Sequence, residues 1–551
     1  MNADLDTLAK EYWEFVTESS PVEALMRGDH RYDDRFDDVS QAAEEQKIAR
    51  RRDLAARAGL IDPSTLTDDE RITREVLIHL ATADADYDAL RLAELEVNHA
   101  VGMQAMLPVM VPQYPLTAVE HAEAMPSHFR GMAKAMGAAA DRLRTGVAGG
   151  RTPMASTAKK TVEQVDAWLA TDLASDPLLR LRSPQGWDGE GAWRAEMAQM
   201  VEDVVRPALS RWRDTIADEV LPAARPDDKP GLCWIPGGDE AYKVALFRYT
   251  TTHTMPDDIH KIGLEQIARL EDEYRVLGEE VLGTTDLAEI YRRLREDASL
   301  HFTSGPDVVA ASEKAMAKAK AAMGDWFGRL PKADCVVAET PTGPTAFYFR
   351  PATDGSRPGT FFVNTADPTR WGRYEIEAMA YHEGIPGHHL QLAIAQELEG
   401  VPEFRKHAFI SAYGEGWGLY TERLSDEMGL YSGPLERIGM LSADSMRAGR
   451  LVVDTGLHAK GWSRQQAIDY FKENSPMSQG TIEGEVDRYI GMPGQACSYM
   501  IGRLEIQRMR REAEKKMGKR FVIKGFHDTV LGSGLVPLGT LDRMVKEWAA
   551  A

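Results

Sequence analysis

Apolar residues recur at three- and four-residue intervals, with charged residues between them, along most of the chain. This pattern predicts helices over residues 5–26, 42–58, 68–95, 116–145, 156–170, 192–220 and 256–282. Pro256-Asp257-Asp258 suits the first turn of the last of these. Gly and Pro clusters at 148–150 and 226–238 separate the segments. The texture changes after Lys332. Short β-branched and aromatic runs at 335–337, 346–349 and 360–364, bounded by Pro, Gly and Asp, predict two or three strands of a small sheet. Residues 371–380 have acceptable helix propensity, and helical patterning continues from Arg373 to the end. No internal repeat, low-complexity tract or flexible linker stands out. The expectation is a mainly α protein with a helical N-terminal half (1–332), then a small sheet and a second helical half (333–551), in one body with a central cleft.

Composition narrows the functional classes. Among 551 residues, 65 are basic and 86 acidic, a net charge of −21. That balance argues for a soluble protein and against nucleic acid or anionic membrane as partner. The three cysteines, Cys233, Cys335 and Cys497, are too scattered for a disulfide framework or a Cys-type zinc site. The N-terminus has no basic and apolar signal-peptide pattern, and no run of eighteen apolar residues occurs, so the expected location is cytoplasmic. No pattern speaks to oligomeric state.

Candidate chemistry lies just after the strands, in Tyr381-His382-Glu383-Gly384-Ile385-Pro386-Gly387-His388-His389. It begins like H-E-x-x-H, in which two histidines one helical turn apart meet one Zn²⁺. Proline occupies the position of the second histidine, and His388 and His389 follow six and seven residues after His382. On a straight helix His388 would sit about 240° away from His382, and His389 about 10.5 Å along the axis. Neither imidazole could converge with His382 on bonds of about 2.0–2.1 Å. Pro386 and Gly387, however, break the helix, and a local bulge could return a late histidine to the metal. Either His388 or His389 then completes the pair. Downstream, Glu415 in Tyr413-Gly414-Glu415-Gly416-Trp417 lies 27 residues after His388, enough for a helix, a turn at 400–402 and a returning helix. That is where zincins of the H-E-x-x-H…E type take their third ligand. Glu422, seven residues on, shares its face and could support a ligand histidine.

A third stretch, 485–503, surrounds a Pro-Gly turn. Tyr499 and Tyr489 are candidate oxyanion donors, and Arg488 and Gln495 candidate substrate-binding groups, with Arg488 suited to a peptide carboxylate. His458 is a further candidate for substrate binding. An edge strand over 361–364 could pair with an extended peptide.

Three of these motifs carry a resemblance. His382-Glu383-x-x-Pro386-Gly387-His388-His389-x-Gln391, Glu415-Gly416-Trp417-x-Leu419-Tyr420-x-Glu422 and Pro493-Gly494-Gln495-Ala496-x-x-Tyr499, with the ending Phe526-His527-Asp528…Gly534 to Leu538, resemble the bacterial family of unknown function 885 (DUF885). That family looks like a gluzincin metallopeptidase. The resemblance implies the clefted, mostly helical architecture of angiotensin-converting enzyme and related oligopeptidases and carboxypeptidases, with the sheet beside the active-site helix. It further implies Zn²⁺ held by His382, His388 and Glu415, with Glu383 as general base. The expected substrate is a short peptide or a small amide. A hydrolase of non-peptide amides and a non-catalytic binding protein that retains the site are the alternatives.

Overall fold

The computed structural model describes the chain apart from residues 342, 343, 353, 354 and 356. It is mainly α with one three-stranded sheet. Local chemistry moves several expected boundaries. The 5–26 segment divides into Ala3–Ser19 and Pro21–Arg27, because Pro21 has no N–H to continue one helix and is suited to opening the next. Asp68–Asp88 is a single helix opened by a Thr67/Glu70 capping box. The helix expected from residue 371 starts at Ile376, after a single turn over Pro368–Arg370. The structure adds a helix over Gly305–Trp326 that the periodicity does not predict.

The helices around the cleft are α1 (Pro256–Leu282), α2 (Gly305–Trp326), α3 (Ile376–Glu383), α4 (His388–Gln396), α5 (Ser411–Glu427), α6 (Pro434–Ala459), α7 (Gln479–Gly491) and α8 (Ser498–Met517). The most extensive helix pairings are α1 along α6 and α5 along α8. The second pairing depends on Gly416 and Gly502. A Cβ on Gly416 would lie 2.6 Å from the backbone of Gly502, so the two helices touch main chain to main chain. One buried apolar cluster lies within residues 22–220. A larger one runs from Leu8 to Ala549, crosses the 332/333 boundary, and includes Tyr381, Leu390, Trp417 and Tyr420 around the histidine and glutamate motifs. Each large side chain of this kind contributes about 1.5–3 kcal/mol by leaving water, which stabilises the framework of the cleft.

In the sheet, β1 (Cys335–Thr340) runs parallel to β3 (Gly359–Asn364), and β2 (Ala346–Phe349) runs antiparallel to β3 on its other side. The edge expected at 361–364 is therefore the centre of the sheet. Both flanks of β3 are hydrogen-bonded, which leaves it no free row of donors and acceptors for a peptide. The edge strand that reaches the cleft is β2, where Ala346, Phe347 and Tyr348 form part of the wall. No helix among the described residues is long and apolar enough to cross a membrane.

Candidate metal centre

The motif helix does break. Helix α3 ends at Glu383 and α4 begins at His388, and the four residues between them form a bulge. The N–H of Gly384 still reaches the carbonyl of Ala380 at 2.9 Å, but that of His389 reaches five residues back to Gly384 at 3.1 Å. The indole N–H of Trp417 on α5 donates to the carbonyl of Pro386 at 3.0 Å, clamping the bulge from below. Nothing in the sequence pattern assigns Trp417 that task, although its position two residues from Glu415 is a usable signal.

This geometry separates the two late histidines. His388 turns toward His382, with ring centroids 4.8 Å apart and planes at 86°. Glu415 Oε2 sits 3.3 Å from His388 Nε2 and 3.6 Å from His382 Nε2. Bonds of about 2.0–2.1 Å at tetrahedral angles hold donor atoms roughly 3.3–3.5 Å apart, so these separations fit a small divalent cation. His389 faces the sheet instead. Its Nδ1 accepts from the Tyr348 hydroxyl at 2.9 Å and its Nε2–H donates to the carbonyl of Ala333 at 3.1 Å. Burial lowers its pKa to about 4, so it is a neutral strut between α4 and the sheet.

His382 is fixed from behind. Its Nδ1–H donates to Glu422 Oε1 at 2.8 Å, which aims Nε2 at Glu415 and His388. Burial disfavours a charged His382 ring, but hydrogen bonds with Glu415 and Glu422 outweigh it and raise the pKa to about 9. Burial likewise opposes ionisation of Glu415, yet His382 and His388 hold it well below the ordinary carboxylate value. A carboxylate oxygen between two imidazole nitrogens is a donor set of the kind that holds divalent metals. Gly418 on α5 completes the cradle, because a Cβ there would lie 2.7 Å from His382 Cε1. Among the described residues His388 Nδ1 has no hydrogen-bond partner, so that ring's polar contact is with Glu415 through Nε2.

Only one other group of such donors occurs among the described residues: His30, Asp33 and His121. Its two imidazoles stack 3.4 Å apart at 7°. An ion bonded at about 2.0–2.1 Å must lie near the plane of each ring, and two parallel planes at that spacing cannot share it.

A cavity of about 500 Å³ opens over the centre, with His382, Glu383, His388, Glu415, Arg488 and Tyr499 in its wall. Among the described residues Glu383 has neither an ion-pair nor a hydrogen-bond partner, so its carboxylate is available to a bound molecule. Tyr499 lies beside His382, its ring centroid 6.3 Å away at 22°. Burial, then the charge of Glu415, raises its pKa, which keeps its hydroxyl a donor.

Three other candidates sit elsewhere. Tyr489 is fully buried, donating its one proton to Glu485 at 2.5 Å and accepting from Arg450 Nε at 2.8 Å, so it has nothing to give an oxyanion. His458 is buried behind α7, accepting from the N–H of Leu232 at 3.1 Å and donating to the carbonyl of Tyr489 at 3.0 Å. Gln495 accepts from Arg488 Nη1 at 2.7 Å and supports that arginine from outside the cavity. Two residues that sequence reasoning misses, Arg447 and Arg450 on α6, do line the cavity. Two arginines three residues apart, next to and inside the apolar run Ala448 to Val453, are the available signal.

Over residues 21–545 the sequence matches the family described as "Bacterial protein of unknown function (DUF885)". The chain belongs to this family. No curated protein matches it. Two solved structures share the DUF885 chain's fold. One is a "putative lipoprotein" from Colwellia psychrerythraea, 24% identical, with a TM-score of 0.93 over 99% of this chain and 98% of that one. The other is a "putative lipoprotein of unknown function" from Shewanella oneidensis, 18% identical, with a TM-score of 0.77 over 99% of this chain and 100% of that one.

The division of labour between the adjacent histidines is testable. His388→Ala should lower affinity for a divalent metal by more than about 100-fold, beyond what loss of a supporting partner costs. His389→Ala should keep the metal and lose only stability. Metal content after dialysis reads this directly, and equal metal loss in both variants would contradict it.

Proposed function

We propose that this DUF885 protein is a zinc-dependent hydrolase of short peptides, with Glu383 as general base. The observation that carries the reading is the convergence of His382, His388 and Glu415 on a cleft wall, next to a carboxylate that has no partner of its own among the described residues. A structural zinc site would close with four protein donors, whereas three donors facing a cavity match a catalytic one. Bound between these three side chains, the ion would supply Lewis acidity and lower the pKa of water. Glu383 accepts the proton of the attacking water and returns it to the leaving amine nitrogen. Tyr499, kept protonated by burial, donates to the developing oxyanion. The β2 edge offers main-chain hydrogen bonds that would align an extended peptide across the cleft.

Metal analysis coupled to a peptide-library digest tests this reading. The expected result is about one zinc per chain, with cleavage lost on chelation and restored by added Zn²⁺. A purified protein without zinc, indifferent to chelator and to added metal, would overturn it.

A further inference from the structure

The wall of the cleft beside Tyr499 carries three guanidiniums. Arg447 and Arg450 come from successive turns of α6, and Arg488 comes from α7. Arg450 lies over the Tyr499 ring at 4.4 Å and Arg447 at 6.0 Å. The carboxylates in contact with them are fewer than they are. Glu485 is shared, accepting from Arg450 Nη2 at 2.7 Å and from Arg488 Nη2 at 3.0 Å. Arg447 has only Glu422 at 3.5 Å, among the described residues, and that carboxylate is already engaged by His382. In direct contact the three arginines divide two carboxylates, Glu485 and Glu422, while the buried Glu375 acts on Arg447 from farther off. Arg450 Nη1 and Arg447 Nε are buried with no hydrogen-bond partner among the described residues. Both side chains are more than nine-tenths buried. Buried guanidinium N–H groups left unpaired are costly, and a further acceptor beside them would remove that cost.

We infer that Arg447 and Arg450, backed by Arg488, form a subsite for the C-terminal α-carboxylate of a peptide, so that the enzyme releases residues from the C-terminal end. This deepens the hydrolase reading and rests on it. A carboxylate fits because the wall already holds one, Glu485, in the forked manner typical of guanidinium pairs. The α-carboxylate fits because of distance. Tyr499 stands 4.4 Å from Arg450 and 6.3 Å from His382. Those two spans together bound the gap between anion and metal ligand, and one to three residues of extended chain at about 3.3 Å each would cover it. Every peptide carries an anion at that reach from its last bonds, whatever its side chains.

The test compares N-acetyl-Ala-Phe-Ala as free acid with its C-terminal amide. Binding is measured calorimetrically on metal-loaded Glu383→Gln protein, and cleavage on the unmodified enzyme. The acid should bind about 10- to 100-fold more tightly, the range of one or two charge-assisted hydrogen bonds. Arg450→Gln and Arg447→Gln should each shrink that ratio toward one, with the acid weakened more than the amide. Equal binding of acid and amide by the protein with both arginines intact overturns the subsite and needs no variant to fold. If the acid binds preferentially but nothing is cleaved, the subsite stands and the hydrolase reading falls. If both forms are cleaved alike at internal bonds, the hydrolase reading stands and the subsite falls.

Discussion

Glu383→Gln is expected to lower kcat/KM for peptide hydrolysis by about 10²–10⁴-fold, the usual contribution of a positioned general base. Bound metal and thermal stability should stay at their original levels. The substitution keeps shape and polarity but removes the proton-accepting oxygen. Glu383 is half-buried at the cleft surface and has no ion pair to lose among the described residues, so neither folding nor the metal ligands depend on it. This sets it apart from its neighbours. Loss of Glu415 removes a carboxylate wedged between His382 and His388. Loss of Glu422 frees the His382 ring to turn. Either change should abolish activity by way of the metal, and metal analysis would reveal it. Steady-state kinetics alongside metal content separates the cases. Full activity of Glu383→Gln with zinc in place would remove the general-base mechanism.

Much of the candidate site is legible in the chain alone, and the reasons are local. His382-Glu383 and Glu415-Gly416-Trp417 combine residue types and spacing that few helices would carry by chance. The helical framework is legible for the same reason, since each amphipathic segment states its own period. The choice between His388 and His389 is not legible. It depends on how Gly384 to Gly387 re-aim the next helix, and on partners distant in sequence: Tyr348 and Ala333 capture one ring, and Glu415 the other. Tyr489 and His458 mislead for a related reason. A tyrosine or histidine in a site-like motif cannot disclose that both ends of its polar group are already used inside the core. The 361–364 segment looks like an edge because strand order is a long-range property. Its alternation, with Phe361 and Val363 buried, fits a central strand equally well. Arg447 and Arg450 are the opposite case, visible as charges beside apolar neighbours but silent about function, because helix periodicity alone assigns them no partner.

The second large effect concerns the main-chain contact between α5 and α8. Gly502→Ala is expected to destabilise the protein by about 3 kcal/mol or more, at the upper end of overpacking costs. Its new methyl would overlap the carbonyl oxygen of Ala412 and stand 2.8 Å from Gly416 Cα. Both are backbone atoms of one helix, so no side chain can swing aside, and α5 itself must move. That helix carries Glu415, Trp417, Gly418 and Glu422, which supply the carboxylate between the two histidines, the clamp on the bulge, the space for His382 and the acceptor that orients it. A shift of α5 should therefore weaken metal binding along with the fold. Gly418→Ala separates the two consequences. The three atoms nearest its methyl all belong to the His382 ring, with Cε1 at 2.7 Å, so the imidazole is displaced while the helix pair survives. Metal affinity should fall by at least about 10-fold, the scale seen when a ligand's orientation is lost, with a smaller loss of thermal stability than for Gly502→Ala. Gly137→Ala, in the helix Val119–Ala148 with open space around it, serves as control and should be neutral or gain up to about 1 kcal/mol. Thermal melts and metal titrations of the three variants provide the comparison. If Gly502→Ala melted with the original protein and kept its metal, the close crossing of α5 and α8 could not be what holds Glu415 against the two histidines.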